Sequence, residues 1–291
     1  MAWDKRWFQY LILLSLALIW GSSFILMKIG LKSFTSPQAA AIRIFSASLV
    51  LLPYSIRNLG YLKRKDIKNL LVAGFFGSLI PAFLFTKAQT RIDSALAGML
   101  NSLTPVFTLI VGIFFFRTRT RLIQILGLIL GLIGALGLIS SGEDVSVRNV
   151  DSYALFIIAA TTCYAININT VKKHLTHLRG VQITSLSFLF IGPVALLFLL
   201  TSNFTPVLET ESWGIHLTAL LTLGIVGTAF AMLIMNSLIR YASAVFASSV
   251  TYIIPVFAVL WGILDGEFVT LFHFAFMISI FTGVYLINRK A

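Results

Sequence analysis

The chain has 291 residues, of which 58% are hydrophobic and 11% charged, with a mean hydropathy of +0.95. Soluble domains carry roughly 25% charged residues, so this composition excludes a soluble globular protein and describes a chain that crosses a membrane repeatedly. At about 20 residues per crossing helix, ten helices consume about 200 residues and leave no room for a sizeable soluble domain. The single cysteine, Cys163, excludes an internal disulfide framework and a cysteine-built metal centre.

Taken in chain order, stretches free of Asp, Glu, Lys and Arg run over 7–27, 69–86, 94–116, 122–142, 152–171, 180–208, 212–239, 241–264 and 268–288. A tenth, 33–56, is interrupted only by Arg43. None shows the period-two alternation that membrane-spanning strands need. The predicted fold class is therefore an all-α membrane protein of ten transmembrane helices. The first run is too long for the apolar core of a signal peptide, and no Ala-x-Ala site follows it, so it is read as a retained helix.

Charge gives the orientation. With the N-terminus inside, the even-numbered connections and both tails hold most of the 22 basic residues, among them Lys63, Arg64, Lys65, Arg117, Arg119, Arg121, Lys172 and Lys173. The odd connections hold every acid except Asp4 and Asp66. The positive-inside rule places both termini in the cytoplasm of a multi-pass protein of the inner (plasma) membrane. The net charge of +12 then faces anionic lipid headgroups, and no nucleic-acid partner is expected.

The two halves repeat. Pro105-Val106-Phe107 recurs as Pro255-Val256-Phe257 and Gly112-Ile113 as Gly262-Ile263, both at an offset of 150. Trp20 matches Tyr164, and Met27-Lys28 matches Val171-Lys172, at 144. Five helices per half is an odd number, so the second copy enters the membrane inverted, which is the construction of many carriers. The expected units are 1–145 and 146–291, around a central cavity.

Several motifs resemble the EamA family of the drug/metabolite transporter superfamily. They are Trp20-Gly21-Ser22-Ser23-Phe24 with Lys28, Ala41-Ile42-Arg43, Ala95 to Pro105, Gly266-Glu267 and Gly283-Val284. The resemblance covers the whole chain. It implies ten helices, a central cavity, and export or exchange of metabolites such as amino acids. One departure is that the Gly-Glu after the fourth helix of a repeat stands as Phe116-Arg117 in the first half.

Polar side chains facing lipid are costly and turn toward a bundle interior or a wet cavity. The expected substrate-binding set is Trp20, Ser23, Arg43, Lys87, Asn101, Tyr164, Asn167, Ser249 and Tyr252. Pro105 and Pro255 are expected hinges, because proline frees a carbonyl one turn earlier and interrupted helices at matched positions point to a transporter's site. A charge at mid-helix costs about 2.5–3.5 kcal/mol, so Arg43 needs a partner: a backbone carbonyl or Asp93 as an anchor, or the substrate. Lys28 and Lys87 are read either as snorkelling to outer headgroups or as lining a positive vestibule. Gly127, Gly131, Gly134 and Gly137 are small-residue packing contacts. His174 and His177 lie in a basic loop with no third ligand, so no metal and no cofactor is expected.

No acid lies at membrane depth, whereas a proton-coupled exporter of cationic drugs would keep one there. The expected function is a secondary transporter moving small amino-acid-like, zwitterionic or anionic metabolites by alternating access, in export or exchange. An importer and a proton-coupled drug exporter are the alternatives within transport. An intramembrane enzyme acting on lipid-linked substrates is the rival class, but the chain lacks a nucleophile with a base, paired carboxylates or a metal cluster. The expected partners are a small-molecule substrate and the lipid bilayer, for a monomer or, alternatively, a homodimer.

Overall fold

The computed structural model describes residues 3, 5–118, 121–140, 152–242, 244–248 and 250–288. Ser249 and the connection and tail charges Arg119, Glu143, Asp144, Asp151, Arg289 and Lys290 lie outside them. Among the described residues every regular element is helical. The main helices are α1 (Arg6–Gly30), α2 (Ser36–Tyr61), α3 (Arg64–Ala88), α4 (Ser94–Phe116), α5 (Leu122–Ser140), α6 (Ser152–His174), α7 (Gly180–Leu200), α8 (Trp213–Tyr241), α9 (Phe246–Leu264) and α10 (Leu271–Asn288). Eight of them are long and apolar enough to cross a membrane; α5 and α10 contribute the shorter apolar stretches Leu122–Gly134 and Leu271–Gly283.

The helix ends follow local chemistry. At the start of α2 the Thr35 N–H donates to Gln38 Oε1 (3.0 Å), and at the start of α7 the Arg179 N–H donates to Gln182 Oε1 (2.8 Å). Each bond satisfies a donor that the helix itself leaves free. α7 ends at Leu200, short of the 208 that charge alone suggested. There the Thr201 and Ser202 hydroxyls turn back onto Leu197 and Phe198 carbonyls, and Asn203 Oδ1 accepts from the Thr205 N–H ahead of Pro206. α3 begins before its charge-free stretch, because the charges of its first turn have places to go. Asp66 is buried and its Oδ2 lies 3.1 Å from His177 Nε2.

The helices pack in definite pairs: α2 with α7, α5 with α10, α1 with α8 and α9, and α6 with α3 and α4. Small residues allow the close approaches. A Cβ on Gly74 of α3 would sit 2.9 Å from the Ser187 carbonyl of α7, and one on Gly224 of α8 would sit 2.6 Å from the Arg43 carbonyl of α2. Of the α5 glycines, Gly134 and Gly137 lie against Phe276 of α10, and the backbone of Gly127 and Gly131 lies against Gly283. These glycines therefore close an α5–α10 seam.

Candidate functional site

Four irregularities open the middle of the bundle. α3 widens into a π-helical turn over Phe75–Leu79, and α8 does the same over Ile225–Phe230. Such turns are inserted bulges that often mark functional positions. In α3 the cause is visible: Pro81 lacks the N–H that an α-helix would supply to the Gly77 carbonyl. α4 is broken at Ser102 and Leu103, after Asn101 and before Pro105. α9 carries Pro255 inside its last segment, Val250–Leu264.

The carbonyls released by the two prolines are both occupied. Pro105 leaves the Asn101 carbonyl without a helical donor, and Thr104 Oγ1 donates to it at 2.8 Å. Pro255 leaves the Thr251 carbonyl, and Ser102 Oγ of α4 donates to that at 2.9 Å. The break in one half of the chain is thus tied to the proline segment in the other.

Between these features lies a cavity of about 90 Å³, lined mainly by α1, α2, α3, α4, α6, α8 and α9. Trp20, Ser23, Arg43, Asn101, Tyr164 and Asn167 all line it, as do the apolar Phe24, Phe85, Met232 and Met235. Among the described residues the lining carries one formal charge, Arg43. Its Nε donates to Thr228 Oγ1 at 2.8 Å. The sequence-level anchors, a backbone carbonyl or Asp93, are thus replaced by a hydroxyl on the π turn of α8. The terminal amino groups of Arg43 have no acceptor among the described residues.

Other expected residues lie elsewhere. Lys87 is exposed, with Nζ 5.6 Å from the centre of the Tyr153 ring, a cation–π contact that Arg91 shares from 5.5 Å. Tyr252 is buried among Ala95, Met99, Leu103 and Val106, away from the cavity, with no partner for its hydroxyl among the described residues. Ser249 falls outside the description.

Lys28 is neither free in a vestibule nor snorkelling alone. Its Nζ lies 2.6 Å from Asp265 and 2.8 Å from Glu267 Oε1. The Glu267 side chain is 3% exposed and also accepts the Ser94 N–H (3.0 Å) and the Ala95 N–H (2.9 Å) at the start of α4. A carboxylate from the α9–α10 connection therefore caps a helix in the other half of the chain, where the helix dipole favours an anion. Gly266, at φ +83°, turns the chain there. Nearby, desolvation and then the Glu267 charge hold the Asp93 carboxyl above the usual carboxylate range, with Lys28 opposing them.

Gly77, Ser78, Gly227 and Thr228 also line the cavity, and sequence reasoning missed them. A signal was there. Gly74-Phe75-Phe76-Gly77-Ser78 recurs as Gly224-Ile225-Val226-Gly227-Thr228, at the same offset of 150 as the Pro-Val-Phe motif. Each second glycine admits a neighbour from across the cavity wall. A Cβ on Gly77 would lie 2.7 Å from the Asn167 amide carbon, and one on Gly227 would lie 3.0 Å from Ser23 Oγ.

Membrane-length helices around an interior cavity, lined by both polar and apolar side chains, define a polytopic membrane protein. The chain belongs to the EamA-like transporter family, whose model matches residues 7–140 and again 151–289. An uncharacterized transporter of Archaeoglobus fulgidus is 26% identical, covering 98% of this chain and 99% of that protein. Protein PagO of Salmonella typhimurium is 23% identical over 95% and 91% of the two chains. The uncharacterized inner membrane transporter YedA of Escherichia coli is 26% identical over 88% and 82%. A crystal structure 15% identical in sequence superposes with a TM-score of 0.70, over 98% of this chain and 97% of the other, and shows the shared fold. The protein is a multi-pass membrane transporter.

Proposed function

We propose that this transporter carries small organic monocarboxylates across the inner (plasma) membrane by alternating access, in net export or exchange. The observation that carries the reading is Arg43, the single formal charge of the cavity lining, with its terminal amino groups unengaged among the described residues. A guanidinium fork matches a carboxylate in two parallel hydrogen bonds. One carboxylate brings the site to zero net charge. An organic cation would add a second positive charge in a low-dielectric space with no acid in the lining, which is strongly unfavourable.

Alternating access calls for two units that rock against one another around a central site. The units proposed are 1–145 and 146–291, inserted with opposite orientation and with both termini in the cytoplasm. Support comes from the packing. Exchanging each helix for the one five places along turns the α1–α9 pair into α6–α4 and the α3–α6 pair into α8–α1, while α2–α7 and α5–α10 map onto themselves. Pro105 and Pro255 are the proposed flexing points. YedA, a relative, is named as an inner membrane protein, in keeping with the membrane chosen.

Purified protein in liposomes tests the reading. Counterflow of a labelled aliphatic monocarboxylate is expected, and Arg43→Gln should weaken its binding about 10- to 100-fold, as for a charged hydrogen bond of about 1.5–3 kcal/mol. Unchanged carboxylate binding in that variant would overturn the proposal. So would proton movement locked to uptake of an organic cation.

A further inference from the structure

We infer that the cavity has a second recognition point, formed by Ser78 of α3 and Asn167 of α6, which selects carboxylates bearing an uncharged hydrogen-bonding group such as a hydroxyl or amide. The inference rests on the carboxylate reading of Arg43 and adds the part of the ligand that Arg43 does not touch.

Ser78 is 6% exposed and Asn167 is 4% exposed, and both line the cavity. Ser78 Oγ and Asn167 Oδ1 have no hydrogen-bond partner among the described residues. Buried polar atoms are normally paired, and each exception calls for an explanation. Other helical serines here show the usual solution: Ser23 donates to the Ile19 carbonyl at 2.9 Å and Ser48 to the Ile44 carbonyl at 2.8 Å. Ser78, in the π turn of α3, makes no such bond. Its counterpart Thr228, at the offset of 150, is fully engaged, donating to the Leu223 carbonyl at 3.1 Å and accepting from Arg43 Nε. Asn169, two residues beyond Asn167, donates to both the Thr108 and the Ala165 carbonyls at 2.9 Å.

The two crossings of the cavity wall therefore differ in kind. Where α8 meets α1 and α2, the Thr228 hydroxyl is satisfied and the open end of a cation is presented. Where α3 meets α6, a hydroxyl and an amide oxygen in the lining of the same cavity are left without partners among the described residues, with Gly77 giving Asn167 its room. α2, which carries Arg43, packs against both π turns, and Arg43, Ser78 and Asn167 line one cavity. A hydroxyl and a primary amide each donate and accept, which matches a neutral ligand group having the same dual character. An ammonium group would leave the loaded site with net positive charge.

Three acids sharing one carbon skeleton test this: 4-methylpentanoate, 2-hydroxy-4-methylpentanoate and leucine, titrated calorimetrically into the detergent-solubilised full-length protein. The wild type is expected to bind the hydroxy acid about 3- to 10-fold more tightly than the unsubstituted acid, the yield of one or two net hydrogen bonds, and more tightly than leucine. In Ser78→Ala and in Asn167→Leu that ratio should fall toward one. A wild-type ratio near one, preferred binding of leucine, or a ratio that survives both variants overturns the inference. In each of those cases, 4-methylpentanoate binding that is lost in Arg43→Gln leaves the carboxylate reading standing. Failure of all three compounds to bind overturns both. Ser78→Ala removes one oxygen and serves alone if Asn167→Leu does not fold. If the orphaned atoms were only a packing flaw, Ser78→Ala would raise the melting temperature and leave the ratio untouched.

Discussion

The indole of Trp20 in α1 donates a 2.8 Å hydrogen bond to the carbonyl of Gly227, at the centre of the π turn of α8. The matched aromatic residue, Tyr164 of α6, stacks on Phe85 of α3 with ring centres 6.0 Å apart, and its hydroxyl has no hydrogen-bond partner among the described residues. Two equivalent positions in the sequence are thus used differently, one as a tie and one as open cavity wall.

Trp20→Phe keeps the ring and removes the donor. Leaving a largely buried carbonyl unpaired costs about 1–3 kcal/mol, so thermal unfolding in detergent should show a clear fall in melting temperature. Tyr164→Phe should change it far less. Equal losses in the two variants would contradict the difference in bonding.

Glu267 gathers a lysine and two backbone N–H groups. Glu267→Gln preserves its shape but gives up the charge, and breaking a buried ion pair costs about 3–5 kcal/mol. Because Asp265 still reaches Lys28, the lower end of that range, about 3 kcal/mol, is expected. A double-mutant cycle with Lys28→Met measures the coupling, and additive losses would show that the two residues do not act together.

Asp93 makes stability depend on pH. Its carboxyl is held above the ordinary carboxylate range by desolvation and by Glu267, with Asp265 adding to the shift and Lys28 opposing it. The folded protein therefore binds this proton more tightly than the unfolded chain. The stabilisation is complete below the unfolded pKa and is lost as pH rises through the higher folded value. Asp93→Asn, which carries no charge at any pH, should be more stable than the wild type at pH 7, with the gap closing below about pH 4. A gap independent of pH would refute the assignment.

Adding a methyl group distinguishes the two π turns. Gly77→Ala drives a Cβ into the Asn167 amide and should cost about 1–3 kcal/mol, the usual range for overpacking. Gly227→Ala meets only Ser23 Oγ and the end of the Leu223 side chain, each 3.0 Å away, and should cost less. Urea or thermal denaturation of the two variants checks the order.

The sequence speaks plainly wherever one residue type breaks a uniform background. Arg43 stands out because it interrupts an apolar run, and Asn101, Tyr164 and Asn167 because amides and phenols are rare at that depth; all four line the cavity. Lys87 and Tyr252 differ only in which way their helices turn. Helices that are apolar on nearly every side give little periodicity from which to read that rotation, and these two side chains point elsewhere. The partner of Arg43 was hidden for another reason: Thr228 is 185 positions away, and nothing local announces it. The paired glycines before Ser78 and Thr228 were readable in principle, since they keep the spacing of the proline motif. What they form, a widened helical turn, follows from backbone geometry that a charge-free run does not express.

The reach of Glu267 has a bearing on how the molecule assembles. The opening turn of α4 takes its cap from a side chain 172 positions further along, so the N-terminal portion emerges from synthesis with that turn bare. It must wait for nearly the whole polypeptide before the end of α4 is sealed. Expressed as two separate fragments, the protein should therefore yield a mature α4 terminus only when both are present together, with Lys28 paired to Asp265 and Glu267 only then.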